Sequence, residues 1–227
     1  MQTQEIKGNL ARLLATENLI VEHRKVPTAM FDVDRRVLTL PMWDKASSTV
    51  YDMLVGHEVG HALFTPNEDW RDIADCPKDF VNVIEDARIE KLMKRKFPGL
   101  NKSFAGGYKE LHDMDFFSVQ GEDLSTFSLI DRINLHFKIG ARAMIPFSIE
   151  EQLFVARTDL AETFEEVLQI AQDVHHLVSK KKLQSKKCQL LLSNLILTAV
   201  KDLKVSNLIK EINLMKINLM HNHQQVD

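Results

Sequence analysis

Cysteine is scarce in this sequence, long apolar runs are absent, and neither sign of charge dominates. The two cysteines, Cys76 and Cys188, are too few and too far apart in the chain to form a disulfide framework. They also lack the paired spacing of a cysteine zinc site. A reducing compartment, the cytoplasm, is therefore the expected location.

The sequence also lacks the segments that direct a chain to a membrane or to nucleic acid. No basic stretch followed by an apolar run stands at the N-terminus, so a secretory signal is not expected. The longest apolar stretch, at residues 190–200, is about half of the roughly 20 residues that a membrane span needs. A formal net charge of -3 and a pI near 6.3 offer no basic surface for nucleic acid. Neither a membrane nor a nucleic acid is expected as a partner.

What the sequence does have is the composition of a soluble globular protein, with 44% apolar and 27% charged residues. Its 227 residues suffice for one generous domain or two small ones. Alternating residues near the N-terminus predict a small β-hairpin or meander, and most of the remainder follows helical periods. The expected fold class is α+β, mainly helical with a small N-terminal β-sheet.

The predicted strands and helices follow from where the apolar residues alternate and where they recur at helical spacing. A helix is expected at residues 4–16, and strands at 19–22, 28–33 and 36–40. Ser47 or Ser48 is expected to cap a helix that Pro66 ends, and a second helix covers residues 78–96. Residues 98–123 are predicted as a loop because they contain Gly106-Gly107. Further helices are predicted at 125–143, at 148–155 with a Ser148/Glu151 capping box, at 158–181, and loosely at 188–220.

The most informative segment lies on the helix after Ser47 and reads His57-Glu58-Val59-Gly60-His61. Two histidines four residues apart lie on one face of a helix and can bind one metal ion. Glu58 follows the first histidine and can accept the proton of a metal-activated water that attacks a carbonyl. Imidazole nitrogens in a site that needs no redox chemistry indicate one zinc ion, with Glu58 as the general base.

A catalytic zinc site needs a third protein ligand, and the next predicted helix offers two adjacent carboxylates. Glu85 is the preferred ligand, because a carboxylate with apolar neighbours is otherwise costly to point into a core. Adjacent helical residues point about 100° apart, so Glu85 and Asp86 cannot both face the metal. Asp86 is the alternative, and in that case Glu90 could orient a ligand histidine. Arg88 is expected to pair with whichever carboxylate does not bind the metal.

Two residues of the predicted loop are weaker candidates. Tyr108 and His112 follow Gly106-Gly107, and either could donate a hydrogen bond to a developing oxyanion. Both residue types are also common in loops without any catalytic role.

These segments resemble a known family. Residues 57–66, 84–90 and 97–99 are similar to metallopeptidases predicted in tailed bacteriophages and to the peptidase-like region of bacterial proteins with von Willebrand factor A domains. The resemblance covers roughly residues 1–183 and is specific in the two helices. If the protein is encoded by a phage, its cytoplasm would be that of the host.

The resemblance implies a gluzincin, in which a zincin-like small sheet precedes the His-Glu-x-x-His helix and the glutamate helix. It assigns His57, His61 and Glu85 to zinc and Glu58 to the general base. In zincins the strand before the active-site helix pairs with an extended substrate, which implies such an edge at residues 36–40. The better-known gluzincins have an aspartate four residues after the glutamate ligand, and this sequence departs from them with Ile89.

Together these observations predict a zinc metalloendopeptidase that acts on a protein or peptide substrate. The alternative is a zinc-binding interaction or scaffold module whose peptidase site is vestigial or gated. The predicted organisation is a metal-binding domain at residues 1–123, a helical subdomain at 124–183 and a helical tail at 184–227. Apolar residues at approximate helical spacing in this tail predict helix-mediated self-association.

Overall fold

The computed structural model describes residues 2–17, 19–43, 46–67 and 73–223. These residues form seven α-helices and one small sheet near the N-terminus, so the predicted α+β class is confirmed. The helices are α1 (Gln2–Ala15), α2 (Ser48–Phe64), α3 (Lys78–Lys96), α4 (Leu100–Asp113), α5 (Leu129–Ile139), α6 (Ile149–Leu160) and α7 (Phe164–His223). The strands are β1 (Ile20–Arg24), β2 (Met30–Asp32) and β3 (Val37–Pro41).

The sheet has the order β1-β3-β2, in which β2 and β3 form the predicted β-hairpin and β1 adds to β3 rather than to β2, so the three strands do not form a meander. Strand β3 lies in the centre, parallel to β1 and antiparallel to β2. The expectation of a substrate-binding edge at residues 36–40 is therefore wrong, because both sides of β3 already pair with neighbouring strands. The short outer strand β2 forms one of the two edges instead.

The two helices that carry the candidate ligands begin and end as predicted. Ser47 caps α2 through a hydrogen bond from the backbone N–H of Val50, and the chain becomes extended at Thr65 before Pro66. Helix α3 covers residues 78–96, and its last turn contains three cations, which the helix dipole favours.

The predicted loop at residues 98–123 is wrong over its first half, because residues 100–113 form α4. Leu100, Phe104, Tyr108 and Leu111 are buried at helical spacing, and this burial outweighs the poor helix propensity of two glycines. Gly107 is needed for packing, since a Cβ there would lie 2.7 Å from Cβ of Met53 on α2.

The helix predicted at residues 158–181 is interrupted after Leu160, and α7 begins at Phe164. Thr163 and Glu166 explain the new start. The Thr163 hydroxyl accepts from the backbone N–H of Glu166, and the Glu166 carboxylate accepts from the backbone N–H of Thr163. The predicted capping box of Ser148 and Glu151 is confirmed at the start of α6.

The two larger apolar cores of the described residues share helix α3. One contains the sheet with α1, α2 and α4, and the other contains α3 with α5, α6 and the first turns of α7. Helix α3 borders both, since Val81 and Ile84 lie in the second core and Met93 lies in the first. The histidine helix and the carboxylate helix therefore meet at the junction of the two cores.

The chain divides into two compact units, Met1–Val178 and Ser179–Asp227. Helix α7 continues to His223, so the predicted tail is helical over its described length. Within the described residues, none of the helices combines the length and the apolar character that crossing a membrane would take.

Candidate metal centre

His57 and His61 lie one turn apart on α2, with their ring centres 5.1 Å apart. Asp86 on α3 faces both rings. Its Oδ1 atom lies 3.6 Å from Nε2 of His57 and 3.3 Å from Nε2 of His61. The three residues offer ligand atoms that all lie within 4.8 Å of one another, a group that could hold a metal ion.

Gly60 allows α3 to approach the histidines this closely. A Cβ on Gly60 would lie 3.1 Å from Cδ1 of Ile89 and 3.1 Å from Cγ of Met93. A larger residue at position 60 would require the side chains of Ile89 and Met93 on α3 to shift. The glycine inside the His-Glu-x-x-His segment is therefore part of the geometry of the site.

Glu85, the preferred ligand from the sequence, is not placed at the histidines. Its carboxylate accepts two parallel hydrogen bonds from Arg88, from Nε to Oε2 at 2.8 Å and from Nη2 to Oε1 at 2.7 Å. Since neighbouring helical residues point about 100° apart, the packing that turns Asp86 towards the histidines turns Glu85 away. The alternative ligand Asp86 fits the geometry, and Arg88 pairs with the other carboxylate as expected.

The His57 ring is oriented by a buried carboxylate. Its Nδ1 lies 3.0 Å from Oε1 of Glu90, which is 3% exposed and also accepts from the Tyr108 hydroxyl. Glu90 lies four residues after Asp86, one turn further along α3. This is the role that the sequence suggested for Glu90 if Asp86 were the ligand.

The His61 ring has a different partner. Its Nδ1 lies 2.9 Å from Oγ1 of Thr65, and the Thr65 hydroxyl donates to Oε1 of Glu85 at 2.6 Å. Glu85 therefore contacts His61 of the candidate metal centre indirectly, through the Thr65 hydroxyl.

The donor set fits a divalent cation. In the neutral tautomer whose Nδ1 hydrogen is directed at Glu90 or Thr65, each ring turns a lone pair on Nε2 towards Oδ1 of Asp86. A cation between these atoms, either a proton or a metal ion, offsets the repulsion among the three acceptors. Two imidazoles and one carboxylate with an open position are the ligands of a catalytic zinc site.

Lys138 on α5 holds the second oxygen of Asp86. Its Nζ donates to Oδ2 of Asp86 at 3.1 Å and to the Tyr108 hydroxyl at 3.3 Å, and it lies 3.8 Å from Oε1 of Glu90. This contact leaves Oδ1 of Asp86 facing the histidines. Lys138 thereby restricts Asp86 to a single ligand atom.

The electrostatics of these groups depend on one another. Burial alone would lower the pKa of Lys138, but Tyr108, Asp86 and Glu90 raise that pKa well above its usual range. Burial alone would raise the pKa of Asp86, but Lys138 and His57 lower it below its usual range. Burial would lower the pKa of His57, yet Asp86 and Glu90 outweigh it and the pKa is raised. The site thus keeps Asp86 ionised and attracts positive charge.

Glu58 lies on the wall of the same cavity as the two histidines and is 5% exposed. Burial raises the pKa of its carboxyl above the usual range, while His57 and His61 act in the opposite direction. The cavity has a volume of about 1010 Å³, and the three candidate ligands and several aromatic residues line it. The aromatic residues include Trp43, Phe116 and Phe117, with ring centres 5.7 Å apart for Trp43 and Phe116 and 5.5 Å apart for Phe116 and Phe117.

The two candidates for an oxyanion donor do not fill that role in this geometry. The Tyr108 hydroxyl lines the cavity, but its hydrogen is directed to Glu90. His112 is not among the residues that line the cavity, and its buried Nδ1 has no hydrogen-bond partner in the described part of the protein.

Thr65 and Lys138 belong to the site but were not predicted. Thr65 follows His61 by four residues, a spacing that brings side chains together on a helix, and this signal was present in the sequence. Lys138 is 52 residues from Asp86, and no local pattern identifies it.

Comparisons with known proteins give no further assignment. No family model, no curated protein and no solved structure matches this chain.

Proposed function

We propose that this protein is a zinc-dependent peptidase in which His57, His61 and Asp86 hold the metal and Glu58 is the general base. The proposal rests on the convergence of the candidate ligand atoms at one place. Three ligand atoms of the right chemistry lie within 4.8 Å of one another, and they and Glu58 line one cavity. A purely structural zinc site would be closed by a fourth protein ligand, whereas the described residues offer three ligands and all three line a cavity.

The chain's own residues supply the remaining parts of a hydrolytic mechanism. A zinc ion at this site would polarise a substrate carbonyl and make a water molecule more acidic. Glu58 accepts the proton of the attacking water and then donates it to the leaving amine. Lys138 and Glu90 keep Asp86 and His57 in place during this exchange.

The cavity favours an extended peptide substrate. Met30 and Phe31 of the edge strand β2 line it, so a peptide can pair with this edge while its side chains enter the cavity. The aromatic lining residues Trp43, Phe116 and Phe117 provide an apolar surface for one of these side chains. We therefore expect cleavage beside large apolar residues.

The resemblance to gluzincins and to the phage-encoded metallopeptidases is part of this proposal, with one change. The geometry favours Asp86 over a glutamate as the third ligand. Counted from Asp86, the carboxylate four residues later is Glu90, which orients His57. The four-residue spacing between the ligand and the acid that orients a histidine would then be the same as in gluzincins, with both residues one position later in the sequence. Ile89 would no longer stand at the position of the orienting acid.

The test combines metal content with peptide cleavage. Wild-type protein and Glu58→Gln are purified, loaded with zinc and incubated with a mixed peptide pool that is analysed by mass spectrometry. We expect one zinc ion per chain in both proteins and a loss of cleavage of roughly 100-fold to 10,000-fold in Glu58→Gln. Glu122→Gln, in an exposed position outside the cavity, is the matched control and keeps the activity.

Two results would contradict the proposal. If the wild-type protein binds no zinc, the proposed metal site is wrong. Zinc binding without cleavage of any peptide, unchanged in Glu58→Gln, would favour the alternative of a zinc-binding interaction module.

A further inference from the structure

We infer that Arg88, Glu85 and Thr65 form a relay that positions His61 for metal binding. The inference rests on the metal site of the proposed function and assigns a role to the buried ion pair beside it. Glu85 and Arg88 are 2% and 4% exposed, and neither touches the three ligand atoms directly. Burying such a pair is costly, and a well-packed apolar pair of similar size would often be as stable.

The hydrogens of the relay can be assigned from its geometry. Two parallel bonds from Arg88 mark the Glu85 side chain as a carboxylate, which only accepts hydrogen bonds. The Thr65 hydroxyl has one hydrogen, and the 2.6 Å contact with Oε1 of Glu85 uses it. The Thr65 oxygen must then accept from His61, so the hydrogen of a neutral His61 ring is on Nδ1.

This assignment fixes the atom that faces the metal. With its hydrogen on Nδ1, His61 has its lone pair on Nε2, the atom 3.3 Å from Oδ1 of Asp86. The other tautomer would place a hydrogen on Nε2 and exclude the metal from that side. The relay therefore selects the tautomer that can bind.

Arg88 also anchors the relay to two other parts of the fold. Its Nη2 donates to the backbone carbonyl of Phe64 at 2.8 Å, and its Nη1 donates to the backbone carbonyl of Glu162 at 3.1 Å. Phe64 is the last residue of α2, and Glu162 lies between α6 and α7. The end of the histidine helix is thereby held in register with α3.

The two histidines are thus supported differently. His57 reaches a carboxylate directly through Glu90, whereas His61 reaches one through the Thr65 hydroxyl. The Thr65 hydroxyl is neutral, and it can be removed while Glu85 and Arg88 keep each other as partners. Thr65 is therefore the residue at which the relay can be tested.

The test uses the full-length chain with Thr65→Val, which removes the hydroxyl at nearly constant volume. Zinc affinity is measured by competition with a chromophoric chelator, and the tautomer of His61 is measured on metal-free protein from its ring ¹⁵N chemical shifts. We expect zinc affinity to fall about 10-fold to 100-fold. We also expect the His61 signal, assigned with His61→Gln, to move from the Nδ1–H form towards a mixture of tautomers.

Two further variants separate the relay from a general structural effect. Thr65→Ser keeps the hydroxyl and should restore both the affinity and the tautomer. Thr158→Val removes another buried hydroxyl, which donates to the carbonyl of Phe154 at 2.8 Å on α6, and should change neither. Circular dichroism checks that all variants are folded.

The relay is overturned if Thr65→Val keeps wild-type zinc affinity, or if the His61 tautomer does not depend on the hydroxyl. These outcomes leave the proposed peptidase intact, since its own test depends on Glu58. Conversely, the peptidase proposal is wrong if the wild-type protein binds zinc but cleaves no peptide. In that case the zinc affinity and the His61 tautomer of Thr65→Val still test the relay.

Discussion

Most proteins bury apolar side chains and expose charged ones, and two helices of this protein depart from that pattern in opposite ways, α3 and the second half of α7. Helix α3 buries charge, with Glu85, Arg88 and Glu90 between 2% and 4% exposed. In α7, Leu190 and Leu195 are 64% and 71% exposed. The buried charges have named partners that offset their desolvation, whereas the described residues show no cover over the leucines. The buried charges of α3 therefore support the proposed metal centre, and self-association through α7 stays a prediction.

Removing Arg88 should have the largest effect on stability. Arg88→Met would leave the Glu85 carboxylate buried without its partner, and we expect a loss of about 3–5 kcal/mol in the free energy of unfolding. Urea denaturation followed by circular dichroism measures this difference.

Arg95→Met is the matched control on the same helix. Arg95 pairs with the carboxylate of Glu162, and both side chains are exposed, so little change in stability is expected. Equal losses in the two variants would show that burial is not what makes the Arg88 pair important.

Replacing Asp86 should abolish the metal site while the fold remains. Asp86→Asn removes the charged ligand oxygen, and we expect zinc affinity to fall by more than the roughly 100-fold that the loss of an outer partner costs. Chelator competition measures the affinity. Asp79→Asn, in the exposed first turn of the same helix, should bind zinc as the wild type does. Unchanged affinity in Asp86→Asn would return the ligand role to another carboxylate.

The smallest effect is expected in α7. Leu195→Ala should change the free energy of unfolding by at most about 0.5 kcal/mol, because the side chain is already 71% exposed. Ile84→Ala on α3 is the contrasting variant, and its fully buried side chain should cost about 2–5 kcal/mol.

Light scattering at several protein concentrations complements the measurement on Leu195→Ala. A large, concentration-dependent loss of stability in this variant would show that another copy of the chain covers these leucines. In that case the leucines of α7 would be buried in an assembly, and α7 would no longer differ from α3 in departing from the usual pattern by exposing apolar side chains.

The secondary structure around the site could be predicted because its signals are local. Ser47 as a cap and Pro66 as a stop define α2, and the spacing of His57, Glu58 and His61 places them on one helix. The errors arose where local signals conflict with packing. In α4, Gly106 and Gly107 suggested a loop, but contact with α2 requires small residues there.

Local patterns in the sequence could not decide whether Glu85 or Asp86 is the third ligand. A sequence shows that two adjacent carboxylates point about 100° apart, but it does not show how the helix is rotated about its axis. That rotation depends on Val81 and Ile84 packing in one core and on Gly60 admitting α3 against α2. The order of the sheet has the same origin, because strand pairing is a contact between distant residues.

The sequence by itself therefore determined the histidine pair, its helix and the presence of acids on the next helix, since these depend on spacing along one chain segment. Only the tertiary structure decided that Asp86 faces the histidines, that Glu85 bonds to Thr65, and that Lys138 of α5 bonds to Asp86. The physical reason is that a metal centre is made of atoms from several elements. Their distances are set by packing at the junction of two cores rather than by any one helix.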